Sequence, residues 1–320
     1  MATMIKQGWS KPSNLLFATE IPVNEKAFAF ALEQARLFDS SLVLFHAYDT
    51  LVVAASETSG IRYYDYTAAA RTETEQLEPL AQQAIDAGID CRIIVRPGLP
   101  ADQLLAYMRT NPVDRVIMST HSRRGLGEIL MGSVAESIIR TSPVPIFVIG
   151  PDAVNGNFRN FATRTVLCAV YEPDHSACVT ALAAEVACQH KARLILEHVL
   201  RPHDRRSILG NQTLEQQEKA LLALVPLELR NRIPIETVIV PGQPADELLY
   251  QSRIQQADLI VMGTHQTSML AAVARPGVLH RVLAHAQCPV LAISSFVAQE
   301  SSVRREKYRL VEETFMAGVF

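Results

Sequence analysis

The residues best suited to chemistry lie in one stretch, Ser119-Thr120-His121-Ser122-Arg123-Arg124-Gly125-Leu126-Gly127, with Gly132-Ser133 shortly after it. Small side chains and glycines let backbone N–H groups approach an anion closely. Arg123 and Arg124 can clamp a phosphate, or can equally be solvated loop charges. A segment of this kind that opens into a helix suits a phosphate at the helix N-terminus. Gly132 would admit close backbone approach. Ser133 would cap the helix and donate to a phosphate oxygen. No Ser or Cys nucleophile with a base and an orienting acid is evident, and no Walker motif is present. The chemistry indicated is binding rather than fast catalysis.

The remaining polar residues read as structural. His121 and His265 occupy matched positions and suit a loop or packing role. His46 and His198 also match each other, as a duplicated structural feature would. His280 and His285 are five apart, which is not the spacing of an i, i+4 pair. No metal-ligand spacing emerges. The five cysteines, Cys91, Cys168, Cys178, Cys188 and Cys288, are scattered without a CxxC pair. That is the usage of a reduced, cytoplasmic protein, with Cys168 acting as a buried small hydrophobe.

These residues need a scaffold, and the chain repeats one. PGLPADQLL at 97–105 returns as PGQPADELL at 241–249, and IMSTHS at 117–122 as VMGTHQ at 261–266, both at an offset of 144. NLLFATE at 14–20 matches TVLCAVY at 165–171, and SPVPIFVIG at 142–150 matches QCPVLAIS at 287–294. Four pairs in one order indicate two homologous domains. The expected division is 1–150, a linker at 151–164, 165–296, and a tail at 297–320. Each unit alternates apolar strands with helices. The expected class is α/β: two doubly wound, parallel, five-stranded sheets with helices on both faces. The stretch 48–73 reads as a long connection, and Tyr308, Val311, Phe315 and Val319 mark an amphipathic terminal helix.

Composition bounds the partners. Hydrophobic residues make up 48% of the 320 and the net charge is −3, so a dedicated nucleic-acid binder is not expected. No apolar run reaches the roughly 18 residues of a membrane span, and no secretory leader is evident.

Over nearly its whole length outside linker and tail, the sequence resembles a tandem universal stress protein. The resemblance implies an adenine nucleotide alpha hydrolase-like fold arranged as a pseudo-dimer. The family's nucleotide loop runs Gly, two residues, Gly, nine residues, then Gly-Ser or Gly-Thr. Here Ser119 and Ser122 stand at the two glycines and Gly132-Ser133 at the end. Glu20 takes the place of the acid near the ribose. Ala18 and Ala47 fall at adenine or ribose contacts, and Met118 and Val134 beside the nucleotide. In the second unit Gln266, Pro276-Gly277 and Tyr171 replace the corresponding residues, which implies a degenerate site.

The resemblance therefore implies a cytoplasmic stress-response module. Its first domain would hold ATP or a related adenine nucleotide, with Mg as the accompanying ion. Two alternatives stand beside it: a nucleotide-free interaction scaffold, and a slow ATP hydrolase with Glu20 or His121 orienting water. The two domains should pair internally through their last strands. The terminal helix is expected to dock on its own domain or, alternatively, on a partner subunit, and a homo-oligomer and an unknown protein partner are further expectations.

Overall fold

The computed structural model describes residues 11–48, 66–120, 132–155, 162–171, 173–200, 213–264 and 277–294. The first half contains β1 (Asn14–Ala18), α1 (Glu25–Phe38), β2 (Ser41–Tyr48), α2 (Tyr66–Asp86), β3 (Cys91–Pro97), α3 (Pro100–Thr110), β4 (Arg115–Ser119), α4 (Ser133–Thr141) and β5 (Ile146–Ile149). A short helix, α5 (Pro151–Asn155), leads into the second half. That half contains β6 (Thr165–Val170), α6 (Pro173–His190), β7 (Arg193–Leu200), α7 (Leu214–Ala223), α8 (Leu227–Arg230) and β8 (Ile235–Pro241). It closes with α9 (Pro244–Ile254), β9 (Leu259–Thr264), α10 (Val278–His285) and β10 (Val290–Ser294).

The apolar strands form one sheet of ten in the order β3-β2-β1-β4-β5-β10-β9-β6-β7-β8. Within each half every pairing is parallel. The halves join at the last strands, β5 against β10, and that ladder is antiparallel. The expected pair of five-stranded sheets is thus one continuous sheet with a single change of direction. Phe147 pairs with Leu291, its counterpart at the offset of 144, so a pseudo-twofold axis passes between them.

The inner strands are buried on both faces, as their near-continuous apolar sequences require, and the outer β3 and β8 are half-buried. One face packs Phe17, Phe147, Leu182 and Leu196 with residues of α1, α2, α6 and α7. The other packs Leu16, Val148, Ile195 and Met262 with α3, α4, α9 and α10. Both cores run across the junction. Cys168 is fully buried, and that burial pushes its thiol up to about 12.

Local chemistry explains where the elements begin and end. Asn24 caps α1 by accepting from the Ala27 N–H at 3.0 Å. The repeated Pro100 and Pro244 open α3 and α9, where a missing N–H costs nothing. Asp114 and its counterpart Asp258 each accept two backbone N–H groups at the start of β1 or β6, at 2.7–3.0 Å.

Two sequence expectations need correction. The connection expected over 48–73 ends earlier, because α2 begins at Tyr66. Alanines at 68–70 favour helix, and Arg71 pairs with Glu75 one turn on, at 2.9 Å. The linker expected at 151–164 opens with α5, whose Ala153 is fully buried. Lys26 Nζ donates to the Val154 carbonyl, and Asp152 lies 3.4 Å from His285. The tail at 297–320 lies outside the described residues.

Candidate functional site

In the first half the strand order reverses between β1 and β4, and the carboxyl ends of strands at such a switch point form the ligand crevice. Ala18 ends β1 and Ser119 ends β4. Ala18 pairs with Phe45 on one side and Met118 on the other, and Met118 pairs with Val148. Phe45, Ala18, Met118 and Val148 therefore form one row on the face covered by α3 and α4. Ala47 shares that face two residues beyond Phe45, and Glu20 stands exposed two residues beyond Ala18. The two alanines leave the row shallow where the strands end, and the Phe45 ring fills one side against Tyr107 at 5.4 Å.

The exit of β1 is fixed by a histidine. His46 Nδ1 donates to the Thr19 carbonyl at 2.9 Å, and Glu73 lies 3.8 Å from the other ring nitrogen. His198 Nδ1 makes the same bond to Val170, also at 2.9 Å. The duplicated histidine is thus a structural tether in both halves.

Gly132 is the N-cap of α4. It replaces Ser133 in that role, because the helix begins at Ser133 itself. Gly132 is exposed, with φ of −62° and ψ of 146°, and has no side chain with which to cap the first turn. A Cβ at this position would meet nothing within 4 Å. Neither the backbone conformation nor the neighbourhood of that Cβ position demands glycine there. Val134 is exposed in the first turn. The structure thus gathers Ala18, Ala47, Met118 and Ser119 at adjacent strand ends, with Gly132 and Val134 opening the helix that follows β4. Ser122 and Arg123, with His121, Arg124, Gly125 and Gly127, lie outside the described residues.

The second half repeats the row with one change of chemistry. Val238, Glu197, Ala169 and Met262 stand where the first half has Ile94, Phe45, Ala18 and Met118. Glu197 is 1% exposed and neither carboxyl oxygen has a hydrogen-bond partner. Burial, helped by Glu247, pushes its pKa up to about 8. Glu197 was not among the residues singled out from the sequence, although a lone acid in the apolar strand RLILEHVL was the signal. Tyr171 is 37% exposed at the exit of β6. Gly277 caps α10, whereas Gln266, His265 and Pro276 lie outside the described residues.

Among the described residues no cluster of three potential metal ligands occurs, and no helix is long and apolar enough to cross a membrane.

Comparison with known proteins agrees with this architecture. The family model described as "Universal stress protein family" matches residues 13–150 and again 162–294. A universal stress protein of Mycobacterium tuberculosis is 27% identical over 220 residues, covering 66% of this chain and 72% of that one. Another, of Methanocaldococcus jannaschii, is 31% identical over 74 residues, covering 23% of this chain and 46% of the relative. Among solved structures, a universal stress protein from Archaeoglobus fulgidus superposes with a TM-score of 0.63 at 18% identity, covering 88% of this chain and 98% of that chain. Two family matches in one chain, on two copies of the same fold joined at their last strands, have one reading: the chain belongs to the universal stress protein family, as a tandem of two units.

Proposed function

We propose that the first unit, taken as 1–150, binds ATP or a closely related adenine nucleotide, and that 165–296 serves as its pseudo-symmetric partner. On this reading the protein is a nucleotide-responsive module in stress survival, not a fast enzyme. The observation that supports it most is the helix that follows β4, which starts at an exposed glycine, Gly132, where a Cβ would meet nothing within 4 Å. The N–H groups of a first helical turn and the positive end of a helix dipole favour a phosphate.

The side chains divide the ligand between them. Ala18, Ala47, Met118 and Val134 would take the base, the alanines by leaving room for a flat ring. Glu20 would accept from ribose hydroxyls. Ser119, Ser122, Gly132, Ser133 and Arg123 would surround the phosphates, and any Mg would arrive on the phosphates rather than on a carboxylate cluster of the protein. Neutralisation of the phosphates would come from arginine and helix dipole.

The test is the nucleotide content of freshly purified protein, followed by calorimetric titration with ATP. Bound adenine nucleotide or micromolar affinity is expected. The Gly132→Val variant should abolish binding while melting close to wild type, since a Cβ there meets nothing within 4 Å and its branches would stand where a phosphate would approach the helix. Binding unchanged in folded Gly132→Val would put the site elsewhere. No nucleotide and no heat would leave the interaction scaffold as the better reading.

A further inference from the structure

A groove of about 560 Å³ runs between α9 and α10, with Leu249 and Tyr250 at its middle. Tyr250 and Ile254, one turn apart on α9, are 57% and 54% exposed. Asp246 and Glu247 line the groove where α9 begins, and Arg253 lines it where α9 closes. Arg281 of α10 is already held by Asp246, whereas Arg253 has no ion pair among the described residues. An apolar pair rimmed by charge has the form of a docking surface for an amphipathic helix. The first half lacks it. Ala106 and Thr110 stand 144 residues before Tyr250 and Ile254, and Ser137 and Thr141 before Arg281 and His285. The groove chemistry thus belongs to the half from which the chain runs on past Ser294.

The residues that follow carry the complement. Asp246, Tyr250 and Arg253 read acid, aromatic, base at i, i+4 and i+7, on one face of α9. Arg305, Tyr308 and Glu312 read base, aromatic, acid at i, i+3 and i+7, and Val311, Phe315 and Val319 extend the apolar stripe. Both spacings are two helical turns, so a helix laid beside α9 in the same direction sets each charge against its opposite. Direction and reach agree with this. The strands of the second half are parallel, so the chain leaves β10 at the border of the sheet from which α9 starts. Residues 295–304 span up to about 33 Å when extended, enough to reach a helix that packs beside α10.

We infer that residues 304–319 form a helix that docks in the α9–α10 groove of their own chain. Tyr308 and Phe315 would cover Leu249 and Tyr250, Arg305 would join Asp246 and Glu247, and Glu312 would meet Arg253. The docked helix would strap α9 to α10 and occupy the groove against other partners. This inference does not rest on nucleotide binding by the first unit and survives its failure.

Hydrogen exchange of the full chain, followed by mass spectrometry at several protein concentrations, is the test. The amides of 306–319 should be protected in wild type. Tyr250→Glu changes an exposed side chain and should keep the melting curve, yet it should speed exchange of the tail at least about tenfold. Arg253→Glu should speed it several-fold. Adding Glu312→Arg to Arg253→Glu should restore slow exchange, which a general loss of fold would not allow. An unprotected tail in wild type, or protection that survives Tyr250→Glu, would overturn the proposal. Protection that falls on dilution, with a dimer seen by light scattering, would also overturn it and give the groove to the tail of a second copy.

Discussion

Glu136 and His280 are the same position in the two halves, 144 apart in sequence, and their side chains meet at 3.3 Å across the junction. They are not the only such pair. Phe38 and His190 each end the corresponding helix, α1 or α6, and their rings meet edge to face at 5.3 Å on the opposite side of the sheet. Phe147 and Leu291 meet between them, within the sheet. A residue on a twofold axis faces itself when the two units are identical. In this chain each axis position has diverged into an unlike pair. Two copies of the first unit would set Glu136 against Glu136, a repulsive contact that His280 relieves.

Exchange of charge at that position should therefore be felt. Arg140 holds Glu136 from its own helix at 2.9 Å, so the cluster survives loss of the histidine. We expect His280→Ala to cost under about 1 kcal/mol, as for a part-exposed pair. His280→Glu should cost more, because two acids then face each other. Urea denaturation of the two variants and of the swap Glu136→His/His280→Glu measures the coupling. A swap no more stable than His280→Glu alone would show that the two positions do not interact.

Gly150, at the end of β5, approaches the Leu283 carbonyl of α10 so closely that a Cβ would overlap the oxygen. Its counterpart Ser294 carries a side chain, whose hydroxyl donates to the Ser142 carbonyl at 2.6 Å. Gly150→Ala must push α10 off the junction, and we expect it to lower stability by about 2–3 kcal/mol. Gly132→Ala, where space is open, should be within about 0.5 kcal/mol of wild type. Equal stability of the two variants would contradict the close approach.

The other axis pair links stability to acid. Burial first, and Arg115 second, hold His190 down at about 4 against an ordinary 6.5. Arg115 is itself 2% exposed, donates to Gln189 at 2.9 Å and lies over the Phe38 ring at 5.4 Å. The folded protein keeps His190 neutral where an unfolded chain would protonate it. The stabilisation is whole above pH 6.5 and is lost as pH falls towards 4. His190→Phe should remove that part of the slope between pH 6.5 and 4. Parallel stability–pH curves for wild type and His190→Phe would show that the ring carries none of it.

Both cores run through the β5–β10 junction, so neither half closes its own hydrophobic face. Differential scanning calorimetry should show one cooperative transition, with calorimetric and van't Hoff enthalpies in agreement. Two resolved transitions would mean that the halves fold separately.

Much of this was legible in the sequence. Apolar strands and helix-length spacers gave the parallel sheets, and the repeated PGxPAD segments gave the duplication. The pairing of the last strands was expected from the resemblance and is present as β5 against β10. The candidate row of Ala18, Ala47 and Met118 was read by position and stands at one set of strand ends. What periodicity could not supply was contact across the axis. Nothing in local sequence says that Glu136 meets His280, or that Gly150 is small because Leu283 is near. Glu197 was missed for a related reason: its interest lies in what surrounds it, and strand patterning reports only that its neighbours are apolar. By type Ser133 suits the helix cap, because serine caps often, whereas in the structure Gly132 precedes it in the extended conformation a cap requires.

The antiparallel junction also decides what is left at the margins. Joining β5 to β10 consumes one border from each five-stranded set and leaves β3 and β8 as the outer strands. Open borders invite further strands, from another molecule as readily as from this one. Both outer strands end in proline, Pro97 and Pro241, which has no N–H to offer a newcomer. Arg92 on one and Glu236 on the other stand exposed, so an incoming strand would have to bury a charge. Among the described residues the sheet thus stops at ten strands, with both outer borders guarded against recruiting an eleventh.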